Sequence, residues 1–197
     1  LDRLDQGTKV NASVALIVPA LNEEETVETA MRSLLAMEYS PMQIIAVDDR
    51  STDATGEILD RLALEDKRLK VIHITELPSG WLGKNHAMHI GACQSQSEFI
   101  LFTDADVHFT PDAVAKALGV MVSNDLDHLV LCMQPSLDPS EQTMLGEYCR
   151  PSKAHDPVEN FRVALFDPGL ESIPKGLGLG IFIIKVLDVL DPGRWIP

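Results

Sequence analysis

The sequence has 197 residues, of which 45% are hydrophobic and 23% are charged. These proportions are typical of a globular domain with a buried core, and they exclude a disordered tail or a collagen-like fibre. The 30 Asp and Glu residues outnumber the 16 Lys and Arg residues, and the formal net charge is −14. A surface this acidic repels phosphate backbones, so we expect no nucleic-acid partner.

Cysteine usage and the lack of a membrane segment favour a cytoplasmic protein. Cys93, Cys132 and Cys149 form no close pair in the sequence, and reduced thiols are the simplest interpretation. No apolar run approaches the roughly 18 residues that cross a bilayer. The first residues lack the basic start and apolar stretch of a signal peptide. Because the chain begins with Leu1 rather than Met, we expect a processed or excised chain.

Short apolar runs alternate with amphipathic stretches from residue 12 to about residue 134. This pattern predicts strands at 13–18, 43–47, 69–74, 97–103 and 128–132. Helices are predicted between them, with Asn22 capping the first and Ser51 or Thr52 capping the second. A third helix is predicted over 84–93 and a fourth from about Pro111. Apolar strands separated by helices indicate an α/β fold with a mainly parallel central sheet flanked by helices.

The pattern weakens after Pro135, where Pro, Asp and Glu cluster. No element is assigned to residues 137–157. Residues 181–186 are apolar apart from one Lys, and they are predicted to form either one more strand or a short helix.

Polar residues follow several predicted strands at their carboxyl ends, where open parallel sheets bind ligands. Asp104 and Asp106 come directly after the fourth strand. Two carboxylates at this spacing can hold one Mg²⁺ or Mn²⁺, or they can divide between a cation and a ligand. Although this spacing alone is more often a solvated turn, its position at a strand end favours a site. Asp48 and Asp49 end the second strand, where helix capping and hydrogen bonding to a base or ribose are equally well supported.

The loop before the third helix places a lysine at a helix start. Lys84 follows Gly80 and Gly83, although helix N-termini usually favour acids. A cation at this position is explained if an anion such as a phosphate binds there. The alternative is a solvated Lys84 with Trp81 anchoring the loop. His86 and His89 lie three residues apart, and a packing or hydrogen-bonding role is favoured over a metal pair.

Four motifs stand out in the sequence: Val18-Pro-Ala-Leu-Asn-Glu-Glu24, Val47-Asp-Asp-Arg-Ser-Thr-Asp53, Gly80-Trp-Leu-Gly-Lys-Asn-His-Ala87 and Phe102-Thr-Asp-Ala-Asp-Val107. Together they resemble the motifs of family 2 glycosyltransferases with the GT-A fold. The third motif is similar to that of the hopanoid- or carotenoid-associated branch. The resemblance implies one GT-A-like domain over residues 1–197. Its nucleotide-sugar-binding half would span 12–134, and a short, atypical acceptor half, either truncated or divergent, would span 135–197.

The resemblance also implies a donor site and a cofactor. One of Asp48 and Asp49 would bind the base or ribose, and Lys84 would lie near the diphosphate. Asp106 would ligate Mn²⁺ or Mg²⁺, with Asp104 shared between the metal and the ribose or sugar. The other residues that would contact the donor nucleotide are Pro19, Ala20, Asn22, Glu23 and Ala105.

The implied reaction is a metal-dependent, inverting transfer of a hexosyl group from a UDP- or GDP-sugar to a hydroxyl acceptor. A lipid is among the candidate acceptors, and family resemblance alone suggests peripheral attachment at the cytoplasmic face of a membrane. No general base is identified, and Asp188 and Asp191 are the nearest acids in the last third. The alternatives are a non-catalytic nucleotide-sugar-binding remnant and a nucleotidyltransferase. The second is disfavoured because Pro19 and its neighbours do not form a glycine-rich loop.

Overall fold

The computed structural model describes residues 10–124 and 126, together with the backbone of three later strands. Helices and strands alternate through the first four strands. The elements in chain order are β1 (Val14–Ala20), α1 (Val27–Leu35), β2 (Met42–Asp49), α2 (Thr55–Glu65), β3 (Leu69–Ile74), α3 (Gly83–Cys93), β4 (Phe99–Phe102), α4 (Ala113–Ser123), β5 (His128–Met133), β6 (Met144–Tyr148) and β7 (Ile181–Lys185).

The described strands form one seven-stranded sheet in the order β3-β2-β1-β4-β7-β5-β6. Strands β3, β2, β1 and β4 pair in parallel, which confirms the predicted parallel centre. Strand β7 pairs antiparallel with both β4 and β5, so the strand interpretation of residues 181–186 is correct. Strand β6 pairs antiparallel with β5 and lies in a segment to which the sequence assigned no element.

The core has two layers because side chains of the parallel strands alternate between the two faces of the sheet. Leu16 and Val18 of β1 pack on the face that carries α1, α2 and α4. Ala15 and Ile17 pack on the opposite face, under α3. A methyl group at Gly91 of α3 would lie 2.4 Å from Cγ2 of Ile17. The absence of a side chain therefore lets α3 lie close to the sheet.

The predicted strands agree with the observed ones, but the first two predicted helix caps are wrong. Helix α1 has Thr26 at its N-cap, without a side-chain capping hydrogen bond, and Asn22 lies earlier, with φ of 55°. Helix α2 has Ala54 at its N-cap rather than Ser51 or Thr52. The polar residues at both positions form hydrogen bonds between the two loops instead of capping their own helices.

No helix in the described part of the chain is long and apolar enough to cross a membrane.

Candidate functional site

The loops after β1 and β2 are joined by hydrogen bonds at the carboxyl edge of the sheet. The backbone N–H of Asn22 donates to Oγ of Ser51 over 3.0 Å. In return, the N–H of Thr52 donates to Oδ1 of Asn22 over 2.8 Å. The left-handed backbone at Asn22 is a conformation that Asn adopts more readily than most residues. These contacts between the loops account for the polar residues Asn22, Ser51 and Thr52, which were predicted from the sequence to cap helices.

Acidic and hydroxyl side chains connect the same two loops beside the first turn of α2. The N–H of Glu23 donates to Oγ1 of Thr55 over 2.8 Å. Oε2 of Glu24 accepts a hydrogen bond of 2.9 Å from the N–H of Ala54. A carboxylate at this place satisfies a helix N-terminal N–H and complements the helix dipole. One N–H at the start of α2 is therefore satisfied by the β1–α1 loop, which lies 30 residues earlier.

Asp48 lies on the α2 side of the sheet and is enclosed by protein. Only 8% of the surface of Asp48 is exposed to solvent. Oδ1 accepts a hydrogen bond from the N–H of Ser51, and Oδ2 lies 2.9 Å from Nδ1 of His73. A methyl group at Gly56 of α2 would lie 2.8 Å from that same Oδ2. Both carboxylate oxygens of Asp48 are thus engaged by neighbouring backbone and side chains.

Asp49 is directed towards the opposite side, at the beginning of α3. Its carboxylate accepts two hydrogen bonds from Arg50, of 2.8 and 3.1 Å. A methyl group at Gly83, the first residue of α3, would lie 2.6 Å from Oδ2 of Asp49. The sequence left Asp48 and Asp49 as alternatives, whereas the sheet directs them to different partners. Arg50 was not among the predicted site residues.

Lys84 and Asp104 form an ion pair that joins α3 to the end of β4. Lys84 is consequently not simply a solvated side chain, although its side chain remains 41% exposed. Since Gly83 contacts Asp49, the first two residues of α3 reach both the β2 and the β4 carboxylates. The predicted site residues on these three elements are therefore close together.

Asp106 differs from the other site acids in being exposed. Its carboxylate makes no hydrogen bond or ion pair with the residues that the structure describes, whereas its neighbour Ala105 is buried. In that same part of the chain, no three His, Cys, Asp or Glu side chains are arranged to hold a metal ion. An ion at Asp106 would have to complete its coordination with ligand and water oxygens, as Mg²⁺ commonly does.

The histidines of α3 pack against Trp81. The ring centroids of Trp81 and His86 lie 5.3 Å apart, and those of Trp81 and His89 lie 5.0 Å apart. His86 is buried. The partial burial of His89 lowers the pKa of His89, and the neighbouring imidazole of His86 lowers it further. This geometry supports the packing role expected for both residues.

His73 is a polar residue of the site region that sequence reasoning missed. It stands opposite Asp48 in the register of β3 and β2, and its Nε2 lies 3.1 Å from Oδ1 of Asp60. The hydrogen bond to Asp48 raises the pKa of His73. The available signal was an imidazole near the carboxyl end of β3, next to the strand that ends in two acids.

A model of the family described as Glycosyl transferase family 2 matches residues 15–163. The match covers more than half of the chain and includes all four motifs. The chain belongs to glycosyl transferase family 2. The family membership predicted from the four motifs is therefore confirmed.

Individual family 2 relatives match part of this chain. A 4,4'-diaponeurosporenoate glycosyltransferase of Staphylococcus haemolyticus is 32% identical over 108 residues, which are 54% of this chain and 27% of the relative. A putative teichuronic acid biosynthesis glycosyltransferase, TuaG, of Bacillus subtilis is 28% identical, over 55% of this chain and 42% of its own. The matched part thus spans less than half of these relatives. The carotenoid-related first name agrees with the branch suggested by the third motif.

Solved structures of glycosyltransferases share the fold of this family 2 chain. The mannosyltransferase PcManGT of Pyrobaculum calidifontis, in complex with GDP-Man and Mn²⁺, is 25% identical with a TM-score of 0.55, over 60% of this chain and 35% of that one. A fragment of S. aureus TarS in complex with UDP-GlcNAc is 28% identical with a TM-score of 0.53, over 62% of this chain and 34% of that one. The similarity confirms the predicted GT-A class of fold.

Proposed function

We propose that this chain carries the donor site of an inverting glycosyltransferase that moves a sugar from a UDP- or GDP-sugar to a hydroxyl acceptor. One observation carries the proposal. The first turn of α3 reaches Asp49 through Gly83 and Asp104 through Lys84. This arrangement brings a helix N-terminus and a lysine between acids that follow two parallel strands, and such a place suits a nucleoside diphosphate.

The nucleoside would bind on the side of Asp49. The Asp48 carboxylate is directed towards α2 and His73, whereas that of Asp49 lies at Gly83 in the first turn of α3, so Asp49 is the candidate for contact with the ligand. Asp49 can accept hydrogen bonds from a base N–H or ribose hydroxyl because each carboxylate oxygen accepts more than one. Asn22 and Glu23 would border the base, with the buried Pro19 and Ala20 beneath them.

The diphosphate would bind beside Lys84. The ammonium group of Lys84 pairs with Asp104. A diphosphate offers more negative charge than one carboxylate, so Lys84 would donate to it and leave Asp104 free. Asp104 and Ala105 would then face the ribose or sugar. During transfer, Lys84 would stabilise the charge that develops on the leaving diphosphate.

Asp106 and Asp104 fit a divalent metal ion whose coordination is completed by the donor. The Asp106 carboxylate is exposed and has no partner among the described residues, and hard cations prefer such oxygen ligands. When bound, Mn²⁺ or Mg²⁺ would neutralise the leaving diphosphate. The complex of PcManGT with GDP-Man and Mn²⁺ supports this cofactor by similarity.

The acceptor side is proposed from the resemblance to the family. Inverting transfer needs a base that takes the proton of the acceptor hydroxyl, and Asp188 and Asp191 lie outside the described residues. Three further proposals are drawn from the resemblance. They are the division into halves at 12–134 and 135–197, a lipid acceptor, and attachment to the cytoplasmic face of a membrane. The second candidate is a nucleotide-sugar-binding remnant, whereas the family match disfavours a nucleotidyltransferase.

Thermal unfolding with nucleotides tests the donor site. UDP, GDP, ADP and CMP are each added with and without Mn²⁺ to the wild type and to Asp106→Ala. We expect one diphosphate to raise the midpoint in an Mn²⁺-dependent manner, since ligand at a hundredfold excess over Kd stabilises a protein by about 2.7 kcal/mol. Asp106→Ala should lose the Mn²⁺ dependence. Asp112→Ala, which removes another exposed acid before α4, should keep it.

Two results would redirect the proposal. No shift with any nucleotide would contradict the donor site. Binding of a nucleotide-sugar with slow hydrolysis, and without transfer to any hydroxyl acceptor tested, would favour the binding remnant.

A further inference from the structure

His73 links two carboxylates on the α2 side of the sheet. Its Nδ1 lies 2.9 Å from Oδ2 of Asp48, and its Nε2 lies 3.1 Å from Oδ1 of Asp60. The imidazole is 42% exposed, whereas the Asp48 side chain is 11% exposed. Only the protonated ring can donate to both carboxylates at once, because a neutral imidazole carries a single N–H.

Asp48 connects His73 to the loops after β1 and β2 at the carboxyl edge of the sheet. Its Oδ1 accepts a hydrogen bond of 3.2 Å from the N–H of Ser51. Oγ of Ser51 accepts in turn from the N–H of Asn22. A continuous series of hydrogen bonds therefore leads from the β3 imidazole through the β2 carboxylate to both the β2–α2 and the β1–α1 loops.

We propose that His73 is a positioning residue for the nucleotide site, which fixes the two loops by holding Asp48 in place. The inference rests on the proposed function insofar as these loops border a nucleotide. His73 itself contacts neither the Asp49 side of β2 nor the acids after β4, and its effect on the donor passes through Asp48. Gly56 supports the arrangement because a methyl group there would lie 2.8 Å from Oδ2 of Asp48 and 3.3 Å from Cε1 of His73.

The hydrogen bonds that His73 makes to the two carboxylates are expected to depend on pH. The charged groups that face His73 are Asp48 from β2 and Asp60 from α2. The hydrogen bond to Asp48, opposed by partial burial and assisted by Asp60, raises the pKa of His73 above its usual 6.5. A raised folded-state pKa means that the stabilisation is fully present below the ordinary pKa of histidine and is lost as pH rises through the raised value.

The test compares variants of His73 with a matched change on the same strand. His73→Leu removes both hydrogen bonds, and His73→Gln restores a neutral donor. Lys70→Met breaks one hydrogen bond of β3, to Gln94 on the α3 side, and serves as the control. The affinity for UDP or GDP with Mn²⁺ is measured by titration calorimetry between pH 6 and 8.

We expect His73→Leu to weaken nucleotide binding at pH 6 by about tenfold, the factor that loss of a hydrogen bond to a charged group carries. His73→Gln should recover part of the affinity. Relative to His73→Gln, which cannot titrate, the affinities of the wild type and of Lys70→Met should fall alike as pH rises. Folded His73→Leu with the Kd and pH profile of Lys70→Met would overturn the proposal.

A measurement without nucleotide separates this inference from the proposed function. Hydrogen exchange of the Ser51 and Asn22 amides reports the two loop contacts directly. His73→Leu should accelerate exchange at both amides, and Lys70→Met should not, whether or not the protein binds nucleotides. Unchanged exchange in folded His73→Leu would refute the positioning role, while failure of the wild type to bind any nucleotide would refute only the donor site.

Discussion

Gly83 is the residue of α3 that lies against the acid at the end of β2. Its φ is not in the left-handed region, so the reason for glycine there is space rather than backbone conformation. A methyl group would lie 2.6 Å from Oδ2 of Asp49 and 2.8 Å from Nη2 of Arg50. Real Cβ atoms do not approach so closely, and the Asp49–Arg50 pair would have to move.

Gly83→Ala should therefore weaken nucleotide binding without unfolding the protein. We expect a loss of about tenfold in affinity, the equivalent of roughly 1.4 kcal/mol, because the displaced carboxylate no longer meets the nucleoside. Titration calorimetry measures the Kd, and thermal unfolding measures stability.

Gly119→Ala is the matched control for this prediction. Gly119 is also a helical glycine, but a methyl group there meets nothing within 4 Å. This variant should gain about 0.5–1 kcal/mol in unfolding free energy, since Ala is the better helix former, and its Kd should be unchanged. A wild-type Kd in Gly83→Ala would contradict the assignment of Asp49 to the donor site.

At the scale of elements, helices α1 and α2 are joined on their exposed faces by an ion-pair network. Glu28 of α1 accepts hydrogen bonds from Arg32 on its own helix and from Arg61 of α2. Glu65 of α2 pairs with both arginines. The hydrogen bond from Arg61, followed by that from Arg32, lowers the pKa of Glu28 to about 2.

The lowered pKa of Glu28 predicts a pH-dependent contribution to stability. A depressed carboxyl pKa means that the stabilisation is present above the model value of 4.5 and is lost as pH falls towards about 2. Glu28→Gln should therefore have a lower thermal midpoint than the wild type at pH 5–7, and the difference should shrink below pH 4.5. Calorimetric melts over this pH range measure it.

Glu57→Gln provides the comparison for the same helix pair. Glu57 is an exposed acid in the first turn of α2 and forms no ion pair in the described part of the chain. Its replacement should not produce the same pH-dependent difference. A difference between Glu28→Gln and the wild type that persists unchanged down to pH 2 would show that the network does not act through the charge of Glu28.

The element bounds show what local sequence predicts and where it fails. Strand β3 was predicted residue for residue, and β1, β2, β4 and β5 differ from prediction by only one or two residues at an end. Apolar runs specify β1, β2 and β4 because the residues of these strands are buried on both faces of the sheet. The starts of α1 and α2 were misplaced because the polar residues near them bond across two loops, and sequence spacing does not reveal partners 29 or 30 residues apart.

The whole molecule carries a net charge of −14, which opposes compaction by self-repulsion. Added salt screens this repulsion, with a Debye length of about 10 Å at 0.1 M. Salt also screens the favourable surface ion pairs, but exposed pairs of this kind contribute only about 0–1 kcal/mol each. Repulsion among the excess acids should therefore dominate the response.

Raising NaCl from 20 to 300 mM should accordingly raise the thermal midpoint at pH 7.5. Scanning calorimetry measures the midpoint, and a sucrose series at low salt controls for general effects of cosolutes. At pH 4.7, the isoelectric point of the sequence, the same salt addition should have little effect. A midpoint that falls with salt at pH 7.5 would mean that the ion pairs outweigh the net repulsion.

The sequence by itself determined the α/β alternation, the parallel centre of the sheet, the family and the set of acids after the strands. These features follow from local patterns, because buried runs and strand-end motifs are contiguous in the chain. Only the tertiary structure separated Asp48 from Asp49, brought His73 to Asp48 and Lys84 to Asp104, and placed β7 between β4 and β5. Each of these depends on the packing of residues that are distant in sequence, and their positions are decided only when the strands and helices assemble around a common core.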